Sequence, residues 1–413
     1  MILSLKRDDI FLLGLTILIG VLTGLIAIGL HDLLKIIQKL AYGYVDGQFL
    51  VLSRSVPIWR RVVSVSLGGL LAALAWYLLQ KKQPLVSIKG QLKQATLGKR
   101  PSFFQHLTHA LTQILLVGMG GPVGKEVAPR ELGALISGQL TSRFQLSTEK
   151  RELMIASAAA AGLSAVYQTP IASFFFLFEG MKAKKNWSSV QLGVLMILVA
   201  TYTARLGIAP KPTYQVTQLT NSSSTWLLAL VLGLCLPPFG LIFRNLVQKM
   251  EQERIKKVSI LWWLPLSMIL VAFASIFFPE ILGNGRDTVQ AAFLGLSWPY
   301  ALSLLIVKGS LVLLALKAGA YGGTLTPGFA MGSLMGLLIG LLFFSWLPNL
   351  SLAEASIIGA GTFLSVSMAT PLTAIFLTMT FTGQTFLTLP PVFLSVGLAY
   401  VITKIINNKK IRR

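Results

Sequence analysis

Residues 121–133 read GPVGKEVAPRELG, which places Lys125, Glu126, Arg130 and Glu131 within seven positions bracketed by Gly121, Pro122, Gly124 and Pro129. Charged residues make up only 12% of the 413-residue chain, against about 25% in a water-facing globular protein. Hydrophobic residues make up 54%, and the mean hydropathy is +0.72. A membrane-spanning helix needs roughly 17–25 mainly apolar residues. The clearest such runs are Ile10–Leu30, Val62–Leu79, Val190–Leu206, Trp226–Phe243, Leu261–Phe278, Gly332–Leu347 and Phe386–Ile405. The fold class that follows is an all-α, polytopic membrane protein.

Within such a protein the Gly- and Pro-rich stretches carry the information. Hydrocarbon offers an unpaired N–H or C=O no partner, so irregular backbone at membrane depth must be buried in protein or line a cavity. The breaks are Gly118–Gly124, Leu282–Arg286 (LGNGR) and Ala318–Pro327 (AGAYGGTLTP). A helix that starts just after a break points its free amides and positive dipole end into the gap. Several such ends make an anion site, and glycine lets backbone approach the ion. An acidic side chain inside one of these motifs is expensive unless used. Glu126 is therefore the candidate working carboxylate, able to stand in for an anion. The simpler alternative for it is a salt bridge to Lys125 or Arg130. Arg130 and Glu131 read as an ion pair that fixes the start of the next helix.

The net charge is +22, but the basic residues fall between spans: Lys81–Lys82, Lys182, Lys184–Lys185, Lys249 to Lys257, and Lys404 to Arg413. That is the pattern of cytoplasmic loops facing anionic lipid, not of nucleic-acid binding. Both termini are expected in the cytoplasm of a cell (inner) membrane protein. The first apolar run is too long for a signal-peptide core and is kept as a mature helix. The lone Cys235 supports no disulfide or thiolate site. His106 and His109 lie i, i+3 on a probable helix with no nearby carboxylate in the sequence, so no metal is expected. No cofactor motif appears, neither a Walker loop nor a nucleophile elbow.

Two stretches rhyme. ASAAAAGLSAVYQTPIASFFFLFEGM (Ala156–Met181) and IGAGTFLSVSMATPLTAIFLTMTF (Ile358–Phe381) both pass from small residues through Leu-Ser to Thr-Pro and into an apolar helix. GKEVAPRELGALISG and GGTLTPGFAMGSLMG match at nearly the same offset, Pro129 against Pro327. Such duplication is the plan of transporters whose interrupted helices meet near the bilayer midplane. The expectation is one transmembrane transport domain over residues 1–413, with repeat halves near 10–210 and 225–405 and no soluble regulatory domain.

These residues resemble the CLC family of anion channels and anion/proton antiporters. GKEVAP (Gly124–Pro129) is similar to its G-(K/R)-E-G-P segment, and GGTLTP (Gly322–Pro327) to its G-x-F-x-P segment. The stretches at Gly162–Met181 and Ala360–Thr380 are similar to the long helices that follow. The resemblance implies a homodimer, one anion pathway per subunit, two inverted-topology repeats, and Glu126 as the gating glutamate. It implies anion-binding roles for Gly124, Lys125, Val127, Gly323, Thr324, Leu325 and Thr326.

There are departures. The early G-S-G-I-P segment is absent, and only Ser87 offers a hydroxyl in that region; a surface-loop role suits it equally. Leu325 replaces the aromatic of G-x-F-x-P. Glu179 matches the first of two glutamates at the end of the long helix, while Gly180 replaces the second, the usual inner proton relay. Glu179 reads equally as a cap or a partner for Lys182. No late pore tyrosine follows Tyr400. Together the departures resemble the fluoride/proton antiporter branch. Fluoride needs hard donors such as amides and the hydroxyls of Thr324 and Thr326, with the amides around Asn284 as further candidates. A chloride/proton antiporter or passive anion channel is the alternative. A lipid-modifying enzyme would need acidic or His residues gathered at one membrane face, which 14 carboxylates mostly in loops do not supply.

Overall fold

The computed structural model describes residues 7–43, 55–97, 100–144, 146–343 and 351–411. Among them are seventeen α-helices. In chain order they are α1 (Arg7–Tyr42), α2 (Ile58–Lys82), α3 (Ile88–Thr96), α4 (Phe103–Gly118), α5 (Val127–Arg143), α6 (Thr148–Tyr167), α7 (Pro170–Glu179), α8 (Trp187–Ala204) and α9 (Ser223–Cys235). They continue with α10 (Pro237–Gln252), α11 (Ile260–Phe277), α12 (Arg286–Leu294), α13 (Trp298–Ala318), α14 (Leu325–Phe343), α15 (Leu352–Met368), α16 (Pro371–Thr382) and α17 (Pro390–Ile411). The strand-like pairing among the described residues is a single bridge, Gly124 to Gly323.

Among the described residues seven helices are long and apolar enough to cross a membrane, or eight if a bent pair counts as one span. The bent pair is α9 and α10, which meet at 45°. Sequence periodicity reads Trp226–Phe243 as one run, but Pro237 and Pro238 lack the amides that would continue α9, so the helix closes and restarts. A further span, α13, was not among the clearest apolar runs because Lys308 interrupts it; its hydropathy is nevertheless 2.0. The end of the run Gly332–Leu347 falls outside the described residues.

The chain gathers into two compact units. The first comprises Met1–Asp32, Pro84–Leu111 and Glu126–Pro210; the second comprises Leu33–Gln83, Thr112–Lys125 and Lys211–Arg413. In each, one pair of helices packs through small residues. In the first unit a Cβ on Gly162 would stand 2.5 Å from the Pro129 carbonyl, and one on Gly133 would stand 2.7 Å from that of Ala158, so α5 and α6 touch backbone to backbone. In the second, a Cβ on Gly332 would stand 2.6 Å from the Gly359 carbonyl, and one on Gly336 would collide with the Ala355 backbone, so α14 and α15 are joined in the same way. Close approach of this kind is how membrane helices associate where lipid removes the hydrophobic drive.

The two Thr-Pro junctions that read alike also fold alike. Gln168 (φ 56, ψ 42) and Ala369 (φ 55, ψ 40) end α6 and α15 in the left-handed region. Thr169 and Thr370 then donate their amides to the Ser164 and Ser365 carbonyls at 3.3 and 3.1 Å. Pro170 and Pro371 open the next helices, where the missing N–H costs nothing. The Leu-Ser and Thr-Pro pairs of the sequence are thus the two ends of one helix-ending hydrogen-bond pattern.

Gly336→Val is expected to lower the detergent-solubilised melting temperature by several degrees, through overpacking of about 1–3 kcal/mol. Gly14 has open space where a Cβ would go, so Gly14→Ala is expected to be neutral or slightly stabilising. Thermal unfolding of the two variants beside the parent chain checks both.

Candidate anion site

The break at Gly118–Gly124 folds as a chain of satisfied peptide groups. Gly120 (φ 100) turns the backbone, and a side chain there would collide with the Tyr42 hydroxyl. That hydroxyl donates to the Met119 carbonyl at 2.8 Å. The Gly121 amide donates to Leu116 O at 2.8 Å, and the Gly283 amide donates to Gly120 O at 3.0 Å. Gly124 and Gly323 then exchange both backbone bonds, at 2.7 and 2.8 Å. Two of the sequence-predicted anion-binding positions are therefore directly paired.

The LGNGR break is held by a side chain that sequence reading passed over. Lys308, fully buried in α13, donates to the Ile281 carbonyl at 2.7 Å and the Gly283 carbonyl at 2.8 Å. Asp287, in the first turn of α12, is its electrostatic partner. Gly283 (φ 63) and Gly285 (φ 94) supply the left-handed turns that start α12. The Thr288 hydroxyl fastens the helix start to Glu280 O at 2.6 Å, and Arg286 reaches Thr213 O at 2.7 Å. Lys125 (8% exposed) and Asn284 (9%) share one narrow cavity with Gln38, Arg286 and Asp287. The structure thus brings together two residues that sequence reading singled out separately.

The second motif opens α14. The Thr324 carbonyl accepts from Gly328 N at 2.9 Å, and Leu325 and Thr326 are buried in the first turn. Nearby, Tyr214 stacks on Phe329 with centroids 5.8 Å apart and packs edge-on against Phe293 and Phe381. Tyr214 lies between α8 and α9, outside the motifs that the sequence singles out.

In the first unit Glu126 sits at the N-cap of α5, only 1% exposed, with no capping hydrogen bond from its side chain. Tyr167, the last residue of α6, donates its hydroxyl to Glu126 Oε2 at 3.2 Å. Val127 is the half-buried first residue of α5. Arg130 interacts electrostatically with Glu131, as expected, and with Glu126. Glu131 also meets His109 Nε2 at 3.3 Å, so His109 does have a carboxylate at hand. The Arg130 guanidinium lies 4.5 Å over the Phe176 ring. Glu179 is half-buried at the end of α7. Ser87 is exposed and caps α3, accepting from Gly90 N at 3.3 Å. No group of three or more His, Cys, Asp or Glu side chains suited to a metal occurs among the described residues.

With broken helices, paired glycine motifs and a buried carboxylate in place, the comparison with known proteins is direct. The model of the voltage gated chloride channel family matches residues 68–404. The chain belongs to the CLC family. It is 26% identical to the H(+)/Cl(-) exchange transporter ClcA of Citrobacter koseri, over 95% of this chain and 86% of that protein. It is 25% identical to the voltage-gated ClC-type chloride channel ClcB of Salmonella typhimurium, over 96% of each. Among solved structures, a slow cyanobacterial Cl-/H+ antiporter superposes with a TM-score of 0.80 at 22% identity, covering 98% of this chain and 96% of that one. A CLC-type fluoride/proton antiporter superposes with a TM-score of 0.74 at 21% identity, covering 97% of each chain. The all-α, polytopic membrane fold is that of the CLC structures.

For this CLC protein the lysine in α13 carries a specific consequence. Lys308→Met leaves two buried carbonyls unmet, at about 1–3 kcal/mol each. A clear loss of thermal stability in detergent is expected. Lys308→Arg, too large for the space beside Gly285, is not expected to restore it.

Proposed function

We propose that this chain is a CLC-type anion/proton antiporter in the cell membrane, with Glu126 as its gating carboxylate and fluoride as the exported anion. The observation that carries the reading is Glu126 itself: a carboxylate 1% exposed, heading a helix without capping it, and met by a tyrosine hydroxyl at 3.2 Å. A buried ionisable group at membrane depth is retained for use. As a tethered anion, Glu126 competes with the free ion while charged and yields when protonated, which ties anion movement to proton movement.

The Gly124 and Gly323 amides are spent on each other, so the turn Thr324-Leu325-Thr326 beside them is the proposed source of anion donors, with Lys125 adding positive potential. The exchange transporters among the relatives support antiport, and the fluoride/proton antiporter among the structural neighbours supports the ion. Leu325 in place of an aromatic, flanked by two threonine hydroxyls, favours a small, strongly hydrated anion that needs hard donors. The chloride reading has support of its own, since the Cl-/H+ antiporter structure superposes with the higher TM-score of the two. The family resemblance adds a homodimer to the proposal, and the basic loops and chain ends add cytoplasmic termini.

Anion efflux from proteoliposomes separates these readings. Fluoride is expected to leave at least tenfold faster than chloride, driving proton uptake against a gradient. Chloride preferred over fluoride would sink the ion assignment, and anion flux without proton movement would sink antiport. Glu126→Gln is expected to abolish proton transport; a variant that couples like the parent chain would remove Glu126 from the mechanism.

A further inference from the structure

Position 180 is closed to a side chain. A Cβ on Gly180 would run into the Phe176 ring, and that ring carries the Arg130 guanidinium at 4.5 Å. The space in which a carboxylate at position 180 would turn is filled by this cation–π pair. A proton that reaches Glu126 from that side must travel by other groups, all of which the first unit contains.

The route begins in water. A solvent-open cavity of about 460 Å³ is walled by Ala156, Met181 and Glu152 and rimmed by Lys93, Lys150 and Lys182. Its lysine-rich rim marks the cytoplasmic side under the positive-inside rule. Met181 forms part of its wall and, through Sδ, touches Arg130 Nη2 at 4.0 Å. One side chain therefore separates the cavity from Arg130. The Arg130 Nε is buried without a hydrogen-bond partner, a donor of the kind that native interiors satisfy with water.

Beyond Arg130 lie His109 of α4 and Glu131 of α5, 2% and 6% exposed and 3.3 Å apart. His106 from α4 interacts electrostatically with both; Arg130 from α5 interacts with Glu131 and, in turn, with Glu126 and with Tyr167 of α6. His106 is committed elsewhere. Its Nδ1 donates to Ser102 O at 2.9 Å and its Nε2 accepts from Val86 N at 3.2 Å, which fixes a neutral ring. Arg130 is permanently charged and interacts with both Glu126 and Glu131. With His109 neutral, that cluster is electrically neutral when one proton is shared between the two carboxylates. Moving the proton from one carboxylate to the other leaves the buried net charge unchanged, which a low-dielectric interior favours.

We propose that His109 and Glu131 form an internal proton station of the transport cycle, loaded from the lysine-rimmed cavity past Met181 and Arg130. The inference rests on the antiport reading of Glu126. In the loading step an O–H bond of a hydronium ion in the cavity breaks, leaving water, and a new O–H bond forms on Glu131 Oε2, with His109 Nε2 as the alternative acceptor. In the unloading step that O–H bond breaks, water at Arg130 relays the proton, and a new O–H bond forms on the Glu126 carboxylate. The protonated Glu126 then withdraws from competition with the anion. Five residues of helix separate the carboxylates by roughly 7–8 Å along the axis and about 140° around it, so the relay runs around α5 past Arg130, which interacts with both.

The test measures proton and anion flux together in proteoliposomes of the full-length chain. Glu131→Gln is expected to lower the proton-to-anion ratio at least tenfold, His109→Gln to lower it severalfold, and Glu131→Asp to recover most of the coupling. A merely structural contact between α4 and α5 would slow both fluxes together and leave the ratio unchanged. An unchanged ratio in Glu131→Gln overturns the station. Should that variant fail to fold, an unchanged ratio in the near-isosteric His109→Gln overturns it equally. A parent chain that moves no protons at all defeats the antiport reading itself, a result read before any variant is made.

Discussion

A peptide group freed from its helix inside a membrane has no water to turn to, and this chain frees many. The structure depends on where those groups find partners. A hydrogen bond contributes only about 0.5–1.5 kcal/mol net, but a buried group left without one loses more than that. The Gly124–Gly323 exchange, the Tyr42 hydroxyl on Met119 O, and Lys308 on the Ile281 and Gly283 carbonyls each meet this demand from a distant part of the sequence. In α13 a charged side chain replaces solvent: one ammonium satisfies two carbonyls that no helix can reach. The same residue that weakens the apolar signal of its own span makes another segment's break tolerable.

Rigidity follows from the small residues. Where Gly162 meets Pro129 and Gly336 meets Ala355, the backbones touch, and no flexible side chain lies between the paired helices to absorb a shift. In each unit the helix that begins at a motif, α5 or α14, is one member of such a pair. Its first turn is thereby fixed in position, so amides at that turn are presented without reorganisation. Preorganised donors are worth more than adaptable ones when the ligand is a bare ion that supplies no contacts of its own.

What the sequence made legible is what composition and local order encode. Most apolar runs became the expected helices, the Thr-Pro junctions took matching dihedrals, and Glu126 proved buried at a helix start. What it hid is pairing across distance. His109 and Glu131 are far apart in sequence, so a histidine read as lacking a carboxylate turned out to have one at 3.3 Å. Arg130 and Glu131 are adjacent and do interact, but each also reaches a neighbour the sequence does not show, the Phe176 ring and His109. Tyr167 and Lys308 were passed over because a tyrosine in an alanine-rich helix and a lysine in an apolar one carry no spacing signal. Ser87 offered a hydroxyl that suits an anion or a helix cap, and only its geometry with Gly90 places it as a cap.

The proposed roles of Glu126 and of the donors in the Thr324-Leu325-Thr326 turn constrain each other. A carboxylate oxygen and fluoride are both hard, compact acceptors, so donors arranged to replace fluoride's hydration also hold the tethered carboxylate well. Strengthening the site for the free ion therefore strengthens its competitor, and neither can be tuned alone. An ion of this kind would escape such a site slowly were the carboxylate not available to displace it, and the carboxylate leaves readily only when protonated. A site selective for a strongly hydrated anion is on these grounds better suited to stepwise exchange against protons than to an open pore, in which nothing would displace the bound ion.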